Sequence, residues 1–254
     1  MNDAFGLAGR CVLVTGGTRG IGRAISLRFA RAGAAVIANY ARNDAGAESL
    51  AAEACEAGLA LETLRADLTL PKGLAAVHER IDALDPAMPL SIVHCAATGV
   101  HRPFEQLSVK HWDWTQSLNV RAFFELVKLL LPRLGEGSAL VAVSSAGAER
   151  AVPAYATVGA SKAALESLAR HLAVELAPRG IRVNILSPGS VQTDAWDAFP
   201  DREQRLADAL RRSPRGRLVG LDEVAHAAQF LCSTAASGMA GQTLVVDGGT
   251  RILE

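Results

Sequence analysis

Short apolar runs alternate along the chain with longer runs in which apolar positions recur at the spacing of a helix. The apolar runs predict strands within "CVLVTG", "AAVIANY", "LETLRADL", "PLSIVHCAA", "SALVAVSSAG", "IRVNILSPG" and "QTLVVDGG". Two of the intervening helical runs end at a glycine, Gly33 and Gly58, as helices often do. Because buried strands joined by helices form parallel sheets covered on both faces, we predict an α/β fold with a helix layer on each side of the sheet.

This alternation predicts a single domain over residues 1–254, since no linker, repeat or low-complexity segment interrupts it. Two helical regions are long: one over 109–134 and one over 153–176. The least regular part is 190–218, which is rich in Asp, Arg and Pro. It follows the carboxyl end of the sixth predicted strand, where ligands bind in such sheets. We expect a substrate-binding lid there, with a solvated surface excursion as the alternative.

Composition excludes several classes of function. Hydrophobic residues make up 50% of the 254 positions, and 26 basic residues balance 26 acidic ones, so electrostatics gives no reason to propose nucleic acid or an anionic membrane as a partner. No apolar run reaches the roughly 18 residues of a membrane span. Four scattered cysteines without CxxC spacing predict reduced thiols in a cytoplasmic protein. The histidines show no metal spacing, and we expect His94 and His101 to edge the pocket.

The segment "VLVTGGTRGIGRAI" places Gly16, Gly20 and Gly22 between the first strand and its helix. Glycines there allow a tight turn and a close approach of backbone N–H groups to a pyrophosphate, which the helix N-terminus also attracts. The spacing is TGxxxGxG rather than GxGxxG, in the required strand–turn–helix context. A dinucleotide site is therefore predicted, and a structural turn without a ligand is the alternative.

The residues after the second strand bear on cofactor choice. An acidic residue there would accept from the ribose 2′-OH of NAD, whereas a basic one suits the 2′-phosphate of NADP. The chain continues from Tyr40 to Arg42 with no acid before Asp44, and Arg19 in the glycine loop points to the same region. We therefore predict NADP(H) over NAD(H); ordinary surface arginines are the alternative. Asp67, which closes the third strand, could accept from the adenine amino group.

Seven ordered motifs resemble those of the short-chain dehydrogenase/reductase (SDR) family over essentially the whole chain: "TGGTRGIG", "RADL", "SLNVRA", "VSSAG", the helix with Lys162, "SPGSVQT" and "GQTLVVDGG". The resemblance implies a Rossmann-type, doubly wound sheet of seven parallel strands in three α/β/α layers. It also implies hydride transfer between a nicotinamide and a substrate. The last motif resembles the family's interface strand, so we expect a homo-oligomer, either a tetramer or a dimer.

The resemblance also implies site residues. Asn119 would hold a helix and a proton-relay water, Ser145 would bond the substrate oxygen, and Lys162 would bind the nicotinamide ribose and supply positive charge. With Tyr155, these three residues form the candidate catalytic group. The candidate cofactor contacts are Gly16, Thr18, Arg19, Gly20, Ile21, Gly22, Tyr40, Arg42, Asp67, Leu68, Cys95, Ala96, Lys162, Pro188, Gly189, Val191 and Thr193.

Two departures from the family pattern matter. His-Cys-Ala-Ala, residues 94–97, stands where the family usually has Asn-Asn-Ala-Gly, so the asparagine side-chain bonds are lost. The family's tyrosine normally stands four residues before the lysine, but that position is Val158, which has no acidic proton; Tyr155 stands seven before Lys162. Seven positions turn a helix by about 700°, so both side chains share a face, and the tyrosine moves about 4.5 Å along the axis. Pro153 suits a helix start, which puts Tyr155 in the first turn.

A displaced tyrosine favours one reduction over another. Reduction of a ketone puts charge on an oxygen one bond from the carbon that accepts hydride. Reduction of an α,β-unsaturated thioester puts it on an oxygen three bonds away, which a phenol set back along the helix could stabilise. Lys162 is expected to lower the pKa of Tyr155. The Tyr-x6-Lys spacing, "HWDWT" and "YATVGASKAALESLARHLAVEL" also resemble the NADPH-dependent enoyl-acyl-carrier-protein reductases of fatty acid biosynthesis.

Three hypotheses follow from these patterns. The first is an NADPH-dependent reductase of trans-2-enoyl thioesters on acyl carrier protein or coenzyme A, with Tyr155 stabilising the enolate. The second is a ketone or aldehyde reductase of specialised metabolism, in which Tyr155 or a water replaces the missing tyrosine. The third is a non-catalytic nucleotide-binding partner protein. For Tyr155 itself, the alternative is a packing or capping residue in a degenerate active site.

Overall fold

The computed structural model describes residues 5–191, 193 and 202–252. Seven parallel strands form one sheet in the order β3-β2-β1-β4-β5-β6-β7. They are β1 (Cys11–Thr15), β2 (Ala35–Tyr40), β3 (Leu61–Arg65), β4 (Leu90–His94), β5 (Ala139–Val143), β6 (Arg182–Pro188) and β7 (Thr243–Val246). The strand order reverses between β1 and β4, and a ligand crevice opens at such a switch point, outside the carboxyl ends of the strands.

Helices cover both faces of the sheet. They are α1 (Gly20–Arg31), α2 (Asp44–Glu56), α3 (Pro71–Asp82), α4 (Val109–Gln116), α5 (Ala122–Leu130), α6 (Ala156–Leu176), α7 (Arg202–Arg212) and α8 (Leu221–Cys232). One face buries apolar side chains of α1 and α8, and the other buries those of α3, α5 and α6. The Rossmann-type, three-layer fold expected from the sequence is therefore confirmed.

Three helical regions differ from the sequence prediction. The region over 109–134 is not one α-helix, because a π-helical turn, Ser117–Arg121, separates α4 from α5. The helix expected from 153 begins at Ala156 instead. The segment 190–218, expected to be irregular, contains α7, whose arginines, glutamate, leucines and alanines are good helix formers. Residues 192 and 194–201 of the predicted lid lie outside the described residues.

The cysteines and the helices bear on two further expectations. All four cysteines are free thiols, two of them buried, as the absence of paired spacing predicted. Within the described residues, no helix has the length and apolar character to cross a membrane.

Candidate active site

The glycine loop is shaped by close backbone contacts. Gly16 has a φ of 64°, a left-handed value that favours glycine. A Cβ added at Gly22 would lie 2.0 Å from the Gly16 carbonyl oxygen, and one added at Gly16 would lie 2.9 Å from the Ala96 Cα. Arg19, the N-cap residue of α1, makes no side-chain capping bond. The first amides of α1 and its dipole therefore face a narrow loop that fits a pyrophosphate.

The other loop residues lie around this turn. Thr18 is buried, and Ile21 is half-buried against the apolar cluster beneath α1 and α8. Cys95 and Ala96 follow β4 and lie half-buried beside the loop, and burial raises the pKa of the Cys95 thiol to about 11. That thiol is protonated at neutral pH, so its contact to a cofactor would come from the backbone.

A buried histidine joins the first and fourth strands. The Thr15 hydroxyl lies 3.0 Å from His94 Nδ1 and accepts a hydrogen bond from the Ala96 amide at 3.1 Å. Burial, and then the charge of Lys162, lowers the pKa of His94 to about 3, so the imidazole is neutral. His94 thus links the loop after β4 to β1 where the family has asparagine. Sequence reasoning missed Thr15, whose place before the glycines was the available signal.

The ends of β2 and β3 form the region expected to hold the adenosine. Tyr40 ends β2, and Arg42 is exposed just beyond it. The nearby acid, Asp44, forms a salt bridge with Arg65 at 3.3 Å. Asp67 accepts two bonds from Thr69, which lower the pKa of its carboxyl, and Leu68 is buried.

Among the described residues, neither Arg19 nor Arg42 has a salt-bridge partner. Two positive side chains are therefore left to meet an anion near the ends of β1 and β2.

The loop after β6 closes the opposite side of the crevice. Pro188 is buried at the end of β6, and a Cβ added at Gly189 would lie 2.7 Å from Asp247. Val191 is buried, and Thr193 lies beside Gly20, where an added Cβ would be 3.4 Å from the Thr193 methyl. This loop therefore lies against the glycine loop, as a nicotinamide-lining loop requires.

Lys162 projects from α6 to the carboxyl end of β5. Its side chain is 5% exposed, and Nζ donates to the Val143 carbonyl at 2.8 Å. Burial lowers its pKa to about 8, so the ammonium stays largely charged at neutral pH. A buried cation at the strand ends can bind ribose hydroxyls and stabilise nearby negative charge.

Asn119 lies in the π-helical turn and is fully buried. Its Oδ1 accepts from the Thr98 amide at 2.8 Å, and its Nδ2 donates to the Thr98 carbonyl and to the Ser161 hydroxyl, each at 2.9 Å. The side chain therefore ties the loop after β4 to α6. A π-turn within a helical region often marks a functional site.

Tyr155 stands at the N-cap of α6, not in the first turn as expected. The physical reason lies one residue earlier, where Ala154 has a φ of 58° and breaks the helical path. A left-handed alanine is disfavoured by roughly 1–2 kcal/mol. The Tyr155 backbone is nonhelical, with φ −126° and ψ 12°, so the turn rather than the helix sets the direction of the side chain.

Val158 occupies the place where the family has its tyrosine. It is 5% exposed and packs against Gly99, where an added Cβ would be 2.1 Å from a Val158 methyl. The wall four residues before Lys162 is therefore apolar and closely packed, and it offers no donor to a substrate oxygen.

The Tyr155 hydroxyl lies 3.4 Å from the Ser145 hydroxyl, so one substrate oxygen could reach both. The expectation that Lys162 lowers the pKa of Tyr155 is not met. Burial raises that pKa, the Ser145 hydrogen bond opposes the rise, and Lys162 is not among the causes. The phenol is therefore protonated at neutral pH and acts as a hydrogen-bond donor.

Comparison with known proteins places this arrangement in a family. A family model described as enoyl-(acyl carrier protein) reductase matches residues 16–251. The chain belongs to the short-chain dehydrogenase/reductase family. It is thus an oxidoreductase, and the non-catalytic hypothesis is wrong.

Relatives within the SDR family differ in their substrates. The 1-cyclohexenylcarbonyl-CoA reductase of Streptomyces collinus is 36% identical over 95% of this chain and 86% of its own length. The 7alpha-hydroxysteroid dehydrogenase of Escherichia coli (strain K12) is 33% identical over 98% of this chain and 96% of its own.

A solved SDR structure supports a nicotinamide cofactor. A protein described as an NAD(P)-dependent gluconate 5-dehydrogenase from Beutenbergia cavernae has a TM-score of 0.89 and 34% identity. The match covers 98% of this chain and 100% of that one, whose crystal contains NADP at low occupancy.

Proposed function

We propose that this SDR protein uses NADPH to reduce the carbon–carbon double bond of a trans-2-enoyl thioester carried by acyl carrier protein or coenzyme A. The observation that carries the proposal is the replacement of the family's tyrosine by buried Val158, with the only nearby phenol at Tyr155. A carbonyl oxygen beside the hydride-accepting carbon would face the apolar Val158 wall. An oxygen farther along the substrate would face Tyr155.

The proposed chemistry divides among few residues. When bound, NADPH supplies the hydride that the β-carbon accepts. Negative charge then develops on the thioester oxygen, where the protonated Tyr155 phenol donates a hydrogen bond and Ser145, 3.4 Å away, can donate a second. Solvent protonates the α-carbon, so one hydride and one proton saturate the double bond. The buried Lys162 ammonium adds positive charge near the reacting atoms.

Two further observations support parts of this proposal. The name of the Streptomyces collinus relative, 1-cyclohexenylcarbonyl-CoA reductase, describes a reductase of a CoA thioester whose acyl group contains a ring double bond. For the cofactor, Asp44 is neutralised by Arg65, while Arg19 and Arg42 can meet a 2′-phosphate. A homo-oligomeric assembly and a cytoplasmic location stay predictions.

A second candidate, ketone or aldehyde reduction, has one observation in its favour. The hydroxyls of Ser145 and Tyr155 converge closely enough to hold a single carbonyl oxygen. Hydroxysteroid dehydrogenases among the relatives act on an alcohol–ketone pair. In that reaction Tyr155 would donate its proton fully, whereas in the first it need only donate a hydrogen bond.

A competition assay separates the two candidates. Crotonyl and acetoacetyl thioesters, each on coenzyme A and on acyl carrier protein, are compared with NADPH and with NADH. We expect NADPH oxidation with the enoyl substrate and a drop in kcat of about 10²–10³-fold for Tyr155→Phe, the order found when one donor to a developing oxyanion is lost. Ser145→Ala serves as the matched variant, with a smaller loss expected for enoyl reduction than for ketone reduction.

Two results would overturn the proposal. Turnover of the ketoacyl thioester alone, across several acyl lengths, would establish the second candidate. Near-normal enoyl turnover by Tyr155→Phe would remove the phenol from the mechanism.

A further inference from the structure

The turn that carries Tyr155 lacks the support that a helix gives its own residues. Ala154 is left-handed, a conformation disfavoured for any residue with a side chain, and Tyr155 lies outside the regular helix at its N-cap. The Tyr155 carbonyl accepts from the Gly159 amide at 2.7 Å, which fixes the backbone but not the phenol. Other parts of the chain must therefore hold the turn and the ring.

A side chain from α7 reaches the turn. Arg205 Nη2 donates a hydrogen bond to the Pro153 carbonyl at 3.1 Å, two residues before Tyr155. The contact joins positions 52 apart in sequence, so it is a tertiary tie between α7 and the start of α6. The hydrogen bond is made to Pro153, the residue directly before the left-handed Ala154.

The ring itself rests on two further groups. The His101 imidazole stacks on the phenol with ring centroids 5.4 Å apart and an interplanar angle of 26°. The backbone of Gly147 also lies against the ring, since an added Cβ would be 2.5 Å from Tyr155 Cε1 and 2.7 Å from Cδ1. Any side chain at 147 would displace the phenol.

His101 and Arg205 belong to one cluster. Burial lowers the pKa of His101, and the positive charge of Arg205 lowers it further, so the stacked imidazole is neutral at neutral pH. Among the described residues, this imidazole and the Ser145 hydroxyl face the phenol, with the Arg205 guanidinium near the imidazole and Lys162 farther along α6.

We propose that His101 and Arg205 are positioning residues that hold the Tyr155 phenol beside Ser145, Arg205 by fixing the turn and His101 by covering the ring. The inference rests on the proposed role of Tyr155 as the donor to the enolate oxygen. It adds two residues, from the loop after β4 and from α7, which the spacing of tyrosine and lysine does not indicate.

The chain offers a direct probe of this placement, because it contains only two tyrosines. In a Tyr40→Phe background, the ultraviolet titration of the remaining phenol reports Tyr155 alone, in the full chain and without substrate. Burial raises the pKa of Tyr155, so we expect His101→Ala and Arg205→Ala to move the titration back toward the ordinary tyrosine value as water reaches the phenol. His101→Phe keeps a stacked ring and Arg205→Lys keeps a donor, and both should retain the raised pKa.

Turnover gives the second readout, measured in the chain with Tyr40 intact. We expect each alanine variant to lower kcat by about 10–100-fold, the order of effect of a misplaced catalytic group, with the NADPH Kd unchanged. The two conservative variants should recover most of the rate. A proportional loss of NADPH affinity in the alanine variants would instead indicate general damage and overturn the positioning role.

The two readouts keep the inference separate from the proposed function. Unchanged Tyr155 titration in both alanine variants would overturn the inference, whatever the turnover. If an alanine variant unfolds, the conservative pair decides, and a phenol with an ordinary pKa in His101→Phe and Arg205→Lys would overturn it. Shifted titration in a chain that never reduces an enoyl thioester would support the inference while the proposed function fails.

Discussion

The two sides of the crevice are built in different ways. On the cofactor side, backbone lies against backbone: Gly22 against Gly16, and Gly16 against the chain after β4. On the substrate side, side chains form the site: Lys162 donates a hydrogen bond to the Val143 carbonyl, and the Tyr155 hydroxyl lies beside that of Ser145. Close backbone contacts require glycine, so they can be recognised in the sequence as glycines at fixed spacing. The placement of side chains depends on turns whose conformation is harder to recognise in the sequence.

This difference predicts different costs for substitution. A change in the backbone contacts of the cofactor side should damage binding and folding together, because the same contacts serve both. A change on the substrate side can lower activity and yet raise stability, because burial of a polar side chain there lowers the free energy of unfolding. Three substitutions test this contrast.

The largest effect is expected for Lys162→Met. Loss of the buried cation should lower kcat by about 10²–10³-fold, the order found when one charge-stabilising group is removed from a site. The same change should stabilise the fold, since a pKa lowered from 10.5 to about 8 corresponds to about 3 kcal/mol against the charged form. The Val143 carbonyl loses its partner, which offsets about 1 kcal/mol of that gain. Steady-state kinetics and urea unfolding measure the two effects.

The stability gain should depend on pH in a defined direction. Below about pH 8 both folded and unfolded chains hold the Lys162 proton, so the penalty on the native protein is complete. Between about pH 8 and 10.5 only the unfolded chain holds it, so native stability rises with pH and the advantage of Lys162→Met shrinks. Lys128→Met removes an exposed lysine and should show neither effect. Equal stability of Lys162→Met and the native chain at neutral pH would contradict the prediction.

A smaller effect is expected for Gly22→Ala, on the cofactor side. The new methyl would lie 2.0 Å from the Gly16 carbonyl oxygen, so the loop must shift. Overpacking of this kind costs about 1–3 kcal/mol, which corresponds to about 10–100-fold if the same strain falls on the NADPH complex. The NADPH affinity, measured by fluorescence titration, and the thermal unfolding temperature should therefore fall together.

Gly135→Ala is the matched control for this substitution. An added Cβ at Gly135 has no atom within 4 Å, so binding and stability should be unchanged. If Gly22→Ala weakened NADPH binding without any loss of stability, the two functions of the backbone contact would be separable and the contrast drawn above would be wrong.

The same contrast explains which elements of the fold could be predicted from the sequence. Strand and helix order, the parallel sheet and the glycine loop follow from periodicity and from glycine spacing, and each is found. The π-helical turn at Ser117–Arg121 is not predictable in this way, because a shift of the apolar pattern by a single position is hard to recognise within one long apolar region. Helix α7 was missed because its many charges resemble a solvated loop, although its residue types favour a helix.

Tyr155 shows the limit more sharply. Its spacing to Lys162 is visible in the sequence, and so is the loss of a donor at Val158. Its placement at the N-cap depends on a left-handed Ala154, and alanine gives no signal for that conformation. The stack with His101 depends on the path of the loop after β4. The sequence could therefore predict that Tyr155 is the donor, but not which residues hold its ring in place.

The smallest effect is expected for Arg42→Ala, at the exposed rim of the cofactor side. Because Arg42 is exposed, its charge-assisted hydrogen bond to a 2′-phosphate should contribute about 1.5 kcal/mol, so the NADPH Kd should rise about tenfold while the NADH Kd stays constant. Arg31→Ala is the control, because Arg31 is also exposed but pairs with Glu53 at 3.0 Å. Parallel isothermal titrations with the two cofactors give the ratio directly. Equal weakening of both cofactors would mean that Arg42 does not read the phosphate, and Arg19 would then carry the preference alone.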